Sequence, residues 1–302
     1  MDKQAFTVHV PATTANLGPG FDCLGLALGL WNTATFQFEK GKSLFTISGE
    51  GSDALPTDEN NLIYRAMEKL ATKAGETLPE NLHIRCEHAI PTTSGLGSSA
   101  CAVICGLMAA REILGIKMIN EDLLQIATQM EGHGDNAGAC LLGGLVLVGK
   151  HAARFTFRRL SIDPIRALVA VPDYSLSTIE ARKALPEKIT YSQAIFNMSH
   201  VIDLIEVFYT GDYGKLHYAM QDQIHQPYRF PLLPGAEEAI TSALQAGAFG
   251  ACLSGAGPSV IALHDPAFED SIHDTMSAAY KHQGVKARLF ALDISCMGAY
   301  ID

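Results

Sequence analysis

The sequence predicts a mixed α+β protein built from two domains that share one site. Segments with strand and helix patterns alternate along the chain. At 302 residues the chain exceeds one typical domain. The patterning is interrupted at residues 151–159, which are basic and irregular. We therefore expect an N-terminal domain of residues 1–155 that binds nucleotide and a C-terminal domain of residues 156–302.

The first half of the chain reads as strands and helices joined by polar turns. The predicted strands are residues 6–10, 24–30, 33–38, 44–48, 82–87 and 141–148, and the predicted helices are residues 62–74, 100–114 and 121–131. Asn61 or Asn60 can cap the first helix, while Gly115 and Gly132 follow the ends of the other two. We expect residues 11–20 to form an irregular loop.

The second half continues the alternation. The predicted strands are residues 165–171, 250–253 and 259–263, with one more after residue 283, and the predicted helices are residues 192–209, 213–220, 236–246 and 266–283. Residues 227–234 read as a proline-rich loop. The pattern contains no internal repeat and no coiled-coil heptad.

Charge and cysteine usage exclude several classes of protein. The net charge is −10 and there is no basic run, so a nucleic-acid partner is not expected. Seven cysteines are scattered through apolar segments, which favours buried reduced thiols over disulfides or a metal site. A signal-peptide core and an apolar run of membrane-spanning length are both absent from the sequence. We expect a soluble, cytoplasmic protein without a membrane partner.

A glycine- and serine-rich stretch precedes the second predicted helix. It consists of Pro91, Thr92, Thr93, Ser94, Gly95, Leu96, Gly97, Ser98, Ser99 and Ala100. The first turn of a helix exposes unpaired N–H groups and partial positive charge, and glycines allow a phosphate to approach the backbone. The stretch therefore predicts a phosphate site. A glycine turn before a serine-capped helix is the alternative.

Three ordered motifs resemble the GHMP kinases. They are the phosphate loop at 91–100, Pro-Ala-Thr-Thr-Ala-Asn-Leu-Gly-Pro-Gly-Phe-Asp at 11–22 and Cys-Leu-Ser-Gly-Ala-Gly-Pro-Ser at 252–259. The wording of residues 11–22 is similar to the homoserine kinases of that superfamily. This resemblance implies a GHMP kinase fold, in which an N-terminal domain like domain 2 of ribosomal protein S5 joins a ferredoxin-like C-terminal domain. It also implies a homodimer.

The reaction implied by the resemblance is phosphoryl transfer. The γ-phosphate of ATP would pass to the hydroxyl of L-homoserine, giving O-phospho-L-homoserine and ADP in threonine biosynthesis. Kinases of other small alcohols, such as mevalonate or a sugar, and a non-catalytic binding relative are the alternatives. No G-x-x-x-x-G-K-[S/T], H-R-D or D-F-G motif is present, so nucleotide is expected only at residues 91–100.

The cofactor that the resemblance implies is Mg²⁺. It would be held by Ser98 or Ser99 together with Glu131, because Mg²⁺ prefers hard oxygen ligands and takes few from the protein. An ordinary surface carboxylate at the end of a helix is the alternative for Glu131. The C-terminal end of a helix is electrostatically unfavourable for an acid, which favours the functional interpretation.

Residues 131–136 read Glu-Gly-His-Gly-Asp-Asn and resemble the E-G-H-P-D-N segment of the family, with Gly134 in place of proline. His133 titrates near neutral pH and could act as a base, although the resemblance implies a substrate contact. The resemblance also places Asn136 at the acceptor hydroxyl. An amide cannot take a proton, so we expect substrate-assisted transfer. Asp135 as a direct base is the alternative.

A homoserine pocket must hold an ammonium group and a carboxylate. Asn16 and Asp22 suit the ammonium group through an amide oxygen and a negative charge. Arg182 and Arg229 lie in segments that resemble the family's, and a guanidinium group suits the carboxylate. Without the resemblance, both would be read as surface arginines.

Two further residues have weaker predicted roles. The resemblance suggests that Thr178 reaches the phosphate region. Asn61 could contact adenine, but capping of the helix at 62–74 explains it equally well.

Overall fold

The computed structural model describes residues 4–39, 44–152 and 154–302. Within them the chain forms two β-sheets with helices packed on them, which confirms the α+β class. The residues before Gln4, which entered the expectation about a signal peptide, lie outside this part of the chain. No helix of the described residues is long and apolar enough to cross a membrane.

The strands, in chain order, are β1 (Phe6–Ala15), β2 (Leu24–Phe38), β3 (Phe45–Gly49), β4 (Leu82–His88), β5 (Leu145–His151), β6 (Arg154–Leu160), β7 (Arg166–Pro172), β8 (Gly250–Leu253), β9 (Val260–His264), β10 (Ala287–Asp293) and β11 (Tyr300–Ile301). The first sheet has the order β11-β1-β2-β4-β3, and β5 joins it by pairing with β2 and β6. Its pairs are antiparallel except β3 with β4.

The helices are α1 (Leu62–Ala74), α2 (Ser98–Leu114), α3 (Asn120–Glu131), α4 (Asp135–Leu142), α5 (Thr178–Lys183), α6 (Tyr191–Thr210), α7 (Leu216–Ala219), α8 (Gln226–Arg229), α9 (Ala236–Gln245) and α10 (Glu269–His282). Short 3₁₀ turns occupy Tyr213–Lys215, Phe230–Leu232 and Pro266–Phe268. The second sheet, β10-β7-β9-β8, is antiparallel throughout. With helices after β7 and β9, this is the β-α-β-β-α-β arrangement of a ferredoxin-like unit.

The helix α2 places the phosphate loop. It is buried along most of its length and packs closely on α1, where a Cβ on Gly106 would lie 2.2 Å from the carbonyl oxygen of Ile63. Its first residue is Ser98, two residues before the predicted start, so the two serines belong to the first turn. The loop at 91–97 therefore ends against a helix that the core fixes.

Two predictions about the first sheet are wrong. Residues 11–15 are not a loop, because β1 pairs with β2 as far as Ala15, with one register shift between Pro11 and Ala12. The predicted strands 24–30 and 33–38 are one strand, because Asn32 is a satisfied polar residue and not a break. Its side-chain oxygen accepts hydrogen bonds from the backbone N–H groups of Ala89 and Ile90 at 2.8 and 2.9 Å.

The predicted domain boundary lies inside β6. This strand pairs with β5 along its length, and its aromatic residues Phe155 and Phe157 are less exposed than Thr156 between them and the arginines beside them. Residue 153 lies outside the described part. We therefore propose a division after Leu160. The strand β11 also returns to the first sheet, so that sheet contains residues from both ends of the described chain.

Other helices differ from the sequence predictions. The short helices α4, α5 and α8 were not predicted, and α4 occupies the start of the predicted strand at 141–148. The proline-rich segment at 227–234 holds most of α8 and a 3₁₀ turn. The seven cysteines are free thiols, and five of them are buried as expected, whereas Cys23 and Cys296 are exposed.

Candidate active site

A cavity of about 520 Å³ lies between the two sheets, and most predicted site residues line it. Those residues are Asn16, Asp22, Asn61, Thr92, Thr93, Ser94, Gly95, Gly97, Ser98, Ser99, Ala100, Glu131, His133, Asp135, Asn136, Thr178, Arg182 and Arg229. Pro91 and Leu96 do not line it. Leu96 is fully buried in the core, and the carbonyl oxygen of Pro91 accepts the hydroxyl hydrogen bond of Ser94 at 2.8 Å. Both support the loop from behind.

The three sequence motifs meet directly at this cavity. The backbone N–H of Thr13 donates to the carbonyl oxygen of Leu96 at 3.1 Å, which joins the first motif to the phosphate loop. The backbone N–H of Gly255 donates to the carbonyl oxygen of Ala15 at 3.1 Å, which joins the third motif to the first. Segments far apart in sequence therefore form one backbone-bonded floor.

Gly95 and Gly97 have left-handed backbone conformations, with φ of 84° and 70°. A Cβ on Gly95 would lie 2.3 Å from the carbonyl oxygen of Ser254, and a Cβ on Gly97 would lie 1.9 Å from Thr13 Oγ1. Both positions therefore exclude a side chain for reasons of conformation and of space. The motif contacts, and not only the approach of a phosphate, require these glycines.

The N-terminus of α2 opens on the cavity. In the described part of the chain no side chain caps this helix, and Ser98, Ser99 and Ala100 of its first turn line the cavity. The first N–H groups of a helix have no partner within it and carry partial positive charge. The geometry suits a bound anionic group such as a phosphate.

Ser99 and Glu131 form a pair at the edge of this helix end. The hydroxyl of Ser99 donates to Glu131 Oε1 at 2.8 Å, and Glu131 is the last residue of α3. Burial raises the pKa of Glu131, and the hydrogen bond from Ser99 only partly opposes this. A bound cation would stabilise the ionised carboxylate here, so the residues fit Mg²⁺. The contact favours Ser99 over Ser98 as the hydroxyl ligand.

The pair is small for a metal site formed by protein alone. Among the described residues there is no group of three or more histidine, cysteine, aspartate and glutamate side chains that could hold a metal ion. Mg²⁺ usually keeps several waters and binds through one or two carboxylates plus substrate phosphates. A site completed by nucleotide phosphates therefore agrees with the Ser99–Glu131 arrangement.

The segment after α3 concentrates hydrogen bonds on one oxygen. Asp135 Oδ1 lies 2.7 Å from His133 Nδ1 and accepts the backbone N–H of Asn136 at 2.7 Å. Asp135 is 2% exposed and begins α4. Burial lowers the pKa of His133, but the hydrogen bond and charge of Asp135 outweigh it and raise the pKa overall. The imidazole is therefore held toward its cationic form beside the cavity.

Thr13 fixes the side chain of Asn136. Its hydroxyl donates to Asn136 Oδ1 at 2.8 Å across a sequence separation of 123 residues. The side-chain oxygen of the amide is thereby occupied. Its nitrogen, Nδ2, bonds only weakly to Asp135 Oδ1 at 3.3 Å. Asn136 therefore presents an N–H group to the cavity. The sequence analysis missed Thr13, although it lies in the first motif.

Asp22 and Arg182 form a bidentate ion pair that lines the same cavity. Arg182 donates to the two carboxylate oxygens of Asp22 at 2.7 and 3.1 Å, and both side chains are partly exposed. The backbone N–H of Asp22 also donates to Asn16 Oδ1 at 3.0 Å, while Asn16 Nδ2 donates to the carbonyl oxygen of Gly255 at 2.8 Å. The structure thus brings these three predicted side chains together at one wall of the cavity.

Arg229 is a buried cation and not a surface residue, with 1% of its area exposed. Burial, assisted by the charge of Arg182, lowers its pKa to about 10. Its Nη1 donates to His225 Nδ1 at 3.0 Å, so the ring proton of His225 is on Nε2, which donates to the carbonyl oxygen of Gly18 at 2.7 Å. Burial accordingly lowers the pKa of His225 to about 4.

The ring of Phe21 contacts both arginines. The guanidinium carbons of Arg182 and Arg229 are each 5.4 Å from its ring centroid, and His225 stacks on it at 5.2 Å. Cation–π contact stabilises the like charges side by side. Phe21 and His225 were both missed as site residues, since an aromatic ring and a buried neutral histidine carry no sequence signal of this kind.

Asn61 and Thr178 also line the cavity, Asn61 as a buried residue and Thr178 as an exposed one. Asn61 Oδ1 accepts the backbone N–H of Ile63 at 3.0 Å and its Nδ2 donates to the carbonyl oxygen of Pro56 at 2.7 Å, so the capping interpretation is confirmed. Contact with adenine stays a prediction. Thr178 is the exposed first residue of α5, and the capping box of Ser177 with Glu180 fixes that helix end.

Two family models match the chain. The GHMP kinases N-terminal domain covers residues 61–144, and the GHMP kinases C-terminal model covers residues 204–282. The chain belongs to the GHMP kinase family. The relatives that match over most of the chain include homoserine kinases. A homoserine kinase from Carboxydothermus hydrogenoformans is 40% identical over 85% of this chain and 84% of its own length. One from Nostoc punctiforme is 38% identical over 98% and 97%.

Solved structures agree with this placement in the GHMP kinase family. A homoserine kinase from Cytophaga hutchinsonii superposes with a TM-score of 0.87 at 30% identity, covering 100% of this chain and 98% of that one. A mevalonate kinase from L. major superposes with a TM-score of 0.72 at 17% identity, over 95% and 94% of the two chains, which supports the fold alone. The GHMP kinase fold predicted from the three motifs is therefore confirmed.

Proposed function

We propose that this chain is an ATP-dependent homoserine kinase. It transfers the γ-phosphoryl group of ATP to the hydroxyl of L-homoserine, giving O-phospho-L-homoserine and ADP, as a step in threonine biosynthesis. The observation that carries the substrate assignment is the charged wall formed by Asp22, Arg182 and Arg229 in the same cavity as the α2 N-terminus. Mevalonate has no ammonium group and a sugar has neither charge, so this wall favours an amino acid.

The Asp22–Arg182 pair is suited to exchange partners with a zwitterion. Both side chains are partly exposed, so a substrate can reach the pair, and a zwitterion would give each of them a new partner of opposite charge. The substrate ammonium group would take the place of Arg182 beside Asp22, and the substrate carboxylate would take the place of Asp22 beside Arg182. Within the described residues Arg229 uses Nε and Nη1 for protein contacts, which leaves Nη2 for the carboxylate.

We infer that ATP phosphates bind at the N-terminus of α2, with the loop at 91–100 around them. Phosphoryl transfer depends mainly on positioning and on neutralising charge. Ser99 and Glu131 would hold Mg²⁺, whose chemistry when bound is to neutralise charge on the phosphates. Ser98 and the first-turn amides would contact phosphate oxygens, and the proposed contact of Thr178 lies in the same cavity.

For proton transfer we propose that Asn136 orients the acceptor hydroxyl and no side chain removes its proton. Because Thr13 occupies Asn136 Oδ1, the amide offers an N–H donor to the hydroxyl oxygen. That contact leaves the hydroxyl proton free to point at the transferring phosphate, which accepts it. Asp135 Oδ1 already takes the hydrogen bonds of His133 and Asn136, which supports a positioning role. His133 would contact the substrate.

The wider setting is part of the same proposal. We infer a cytoplasmic enzyme that acts on ATP and L-homoserine, has neither a nucleic-acid nor a membrane partner, and forms a homodimer. The net charge of −10 supports the first exclusion.

The test is ATP consumption with L-homoserine, mevalonate and galactose in parallel, in the presence of Mg²⁺. Of the three compounds, only L-homoserine is expected to support ATP consumption. L-2-aminobutyrate, which keeps both charges and lacks the hydroxyl, is expected to inhibit competitively without being phosphorylated. Turnover of mevalonate or galactose in place of homoserine would refute the substrate assignment. Binding of homoserine and ATP without any turnover would indicate a non-catalytic relative.

A further inference from the structure

The outer face of α6 carries large apolar side chains that nothing in the described chain covers. Tyr191, Ile195, Met198, Ile202 and Tyr209 are 91, 61, 59, 68 and 80% exposed. We call these five residues the α6 stripe. At 100° per residue they fall within about 60° of one another around the helix, so they form a single narrow row. With the half-buried Ile205, their spacing alternates between four and three residues.

This spacing is that of a helix–helix seam. The row from Tyr191 to Tyr209 is shorter than the roughly three to four heptads by which a coiled coil is recognised from sequence. The pattern was hidden because the opposite face of α6 is also apolar, with Leu204, Val207 and Phe208 buried in the core. Because both faces are apolar, the sequence of α6 resembles that of a uniformly hydrophobic helix.

The stripe is not needed for the chain's own fold. The inner face of α6 makes the intramolecular contacts: Asn197 Nδ2 donates to Asp222 Oδ1 at 2.7 Å, and Gln193 Nε2 donates to the hydroxyl of Tyr228 at 2.9 Å. From Tyr191 to Ile202 the helix contains no charged residue. Depletion of charge around exposed aromatic and aliphatic side chains is typical of the centre of a protein interface and not of a solvated helix.

We propose that a second copy of this chain docks on the α6 stripe, with the two helices antiparallel about a two-fold axis at the level of His200. The row is nearly symmetric about that level. Antiparallel pairing would set Tyr191 against Tyr209, Ile195 against Ile205 and Met198 against Ile202 of the other copy. Such self-complementarity is what a two-fold interface requires. A surface shaped for an unrelated partner has no reason to possess it.

The area agrees with a dimer. Two largely exposed tyrosines at about 200 Å² each and three aliphatic side chains at about 100 Å² each give about 700 Å² per copy. A standard stable interface buries about 800 Å² per partner. This inference deepens the homodimer of the proposed function by naming its surface and register.

The first experiment measures molar mass by sedimentation velocity and light scattering at micromolar concentration. The wild-type chain is expected at twice its 32.4 kDa. Ile202→Glu places one buried carboxylate on each side of the axis and is expected to weaken dimerisation at least about a hundredfold. Ile119→Glu is the matched control, since Ile119 is 63% exposed and lies outside the stripe. It is expected to remain dimeric, and thermal melts check that both variants fold.

The second experiment tests the register by disulfide crosslinking. Tyr191 and Tyr209 are about 27 Å apart along one helix, so they cannot pair within a copy. The double variant Tyr191→Cys with Tyr209→Cys is expected to give a covalent dimer under mild oxidation. Each single variant is expected to give no more covalent dimer than the wild-type chain, which itself has the exposed cysteines Cys23 and Cys296. Crosslinking of the single variants would indicate a parallel pair and overturn the register.

Two outcomes overturn the interface itself. One is a wild-type chain that is monomeric at micromolar concentration, and the other is a dimer that Ile202→Glu does not weaken. Homoserine turnover of the wild-type chain is measured separately. A monomer that phosphorylates homoserine would therefore refute the interface alone, and a dimer without turnover would refute the proposed function alone.

Discussion

Replacing Gly97 with alanine tests whether the phosphate loop and the acceptor-positioning residues act as one unit. Gly97 precedes α2 with φ of 70°, and Gly115 follows the same helix with φ of 63°. A Cβ on Gly115 meets nothing within 4 Å, whereas a Cβ on Gly97 would lie 1.9 Å from Thr13 Oγ1 and 3.1 Å from Asn136 Oδ1. Gly97→Ala and Gly115→Ala both place alanine in left-handed backbone, and only Gly97→Ala adds a steric collision.

The magnitude follows from this comparison. Left-handed backbone costs alanine about 1–2 kcal/mol, so Gly115→Ala should lose about that much stability and keep its turnover. In Gly97→Ala the hydroxyl of Thr13 must move by more than about 1 Å, which breaks its bond to Asn136 and costs about 1 kcal/mol more. Misplacement of about 1 Å at a reacting group costs about a hundredfold in rate, so kcat should fall by that factor.

Urea unfolding, calorimetry with a non-hydrolysable ATP analogue and steady-state turnover are measured for both variants. Gly97→Ala is expected to bind nucleotide more weakly than Gly115→Ala, since its Cβ and the shifted loop disturb the first turn of α2. Equal nucleotide affinity and equal kcat in the two variants would refute the reasoning. The loop would then be structural only.

Four further predictions concern single side chains. Glu131→Gln should lower activity and raise the Mg²⁺ concentration that the remaining rate requires; an unchanged Mg²⁺ dependence would make Glu131 a helix-end carboxylate. Asp135→Asn should cost roughly tenfold in kcat, as for one supporting hydrogen bond of about 1 kcal/mol, and a loss beyond about a thousandfold with both substrates still bound would make Asp135 the base. Arg229→Lys should raise KM for homoserine and leave ATP binding nearly intact, because the planar fork is lost while the charge stays; a fall in ATP affinity instead would move Arg229 to the nucleotide side. Thr13→Val should lower kcat about tenfold by freeing the Asn136 amide, and Thr13→Ser should restore it; equal rates for the two would remove Thr13 from the positioning group.

The sequence is informative where function demands unusual residues. Two glycines beside two serines predict the phosphate loop, and the family resemblance alone assigns Asp22, Arg182 and Arg229 to one pocket, where all three line the same cavity. Sequence cannot supply distances between side chains. The choice of Ser99 over Ser98 depends on which hydroxyl the helix turns toward Glu131, and the bond from Thr13 to Asn136 joins positions 123 residues apart.

The missed helices have a related cause. Helix α8 is only one turn long, too short to show a period, and a carboxylate outside the helix stabilises its start. Asp222 Oδ2 accepts the backbone N–H groups of His225 and Gln226 at 3.0 and 2.7 Å. Such helices depend on tertiary contacts more than on propensity. The Arg229 side chain at the end of this helix donates to two carbonyl oxygens that are distant in sequence, that of Gly255 at 3.2 Å and that of Ala181 at 3.4 Å.

The pairing of β11 with β1 constrains how the cavity can open. The chain leaves the first sheet after β6, forms the second sheet, and returns to the first sheet at β11, where Thr7 and Asp302 exchange two backbone hydrogen bonds at 2.9 and 3.0 Å. The chain therefore crosses between the two sheets twice, once after β6 and once before β11. Rotation about the line through both crossings keeps β11 paired, whereas twisting or separating the two sheets would break the β11–β1 pairing and also the backbone bond from Gly255 to Ala15. We therefore expect any opening of the cavity to be a rotation about this one line.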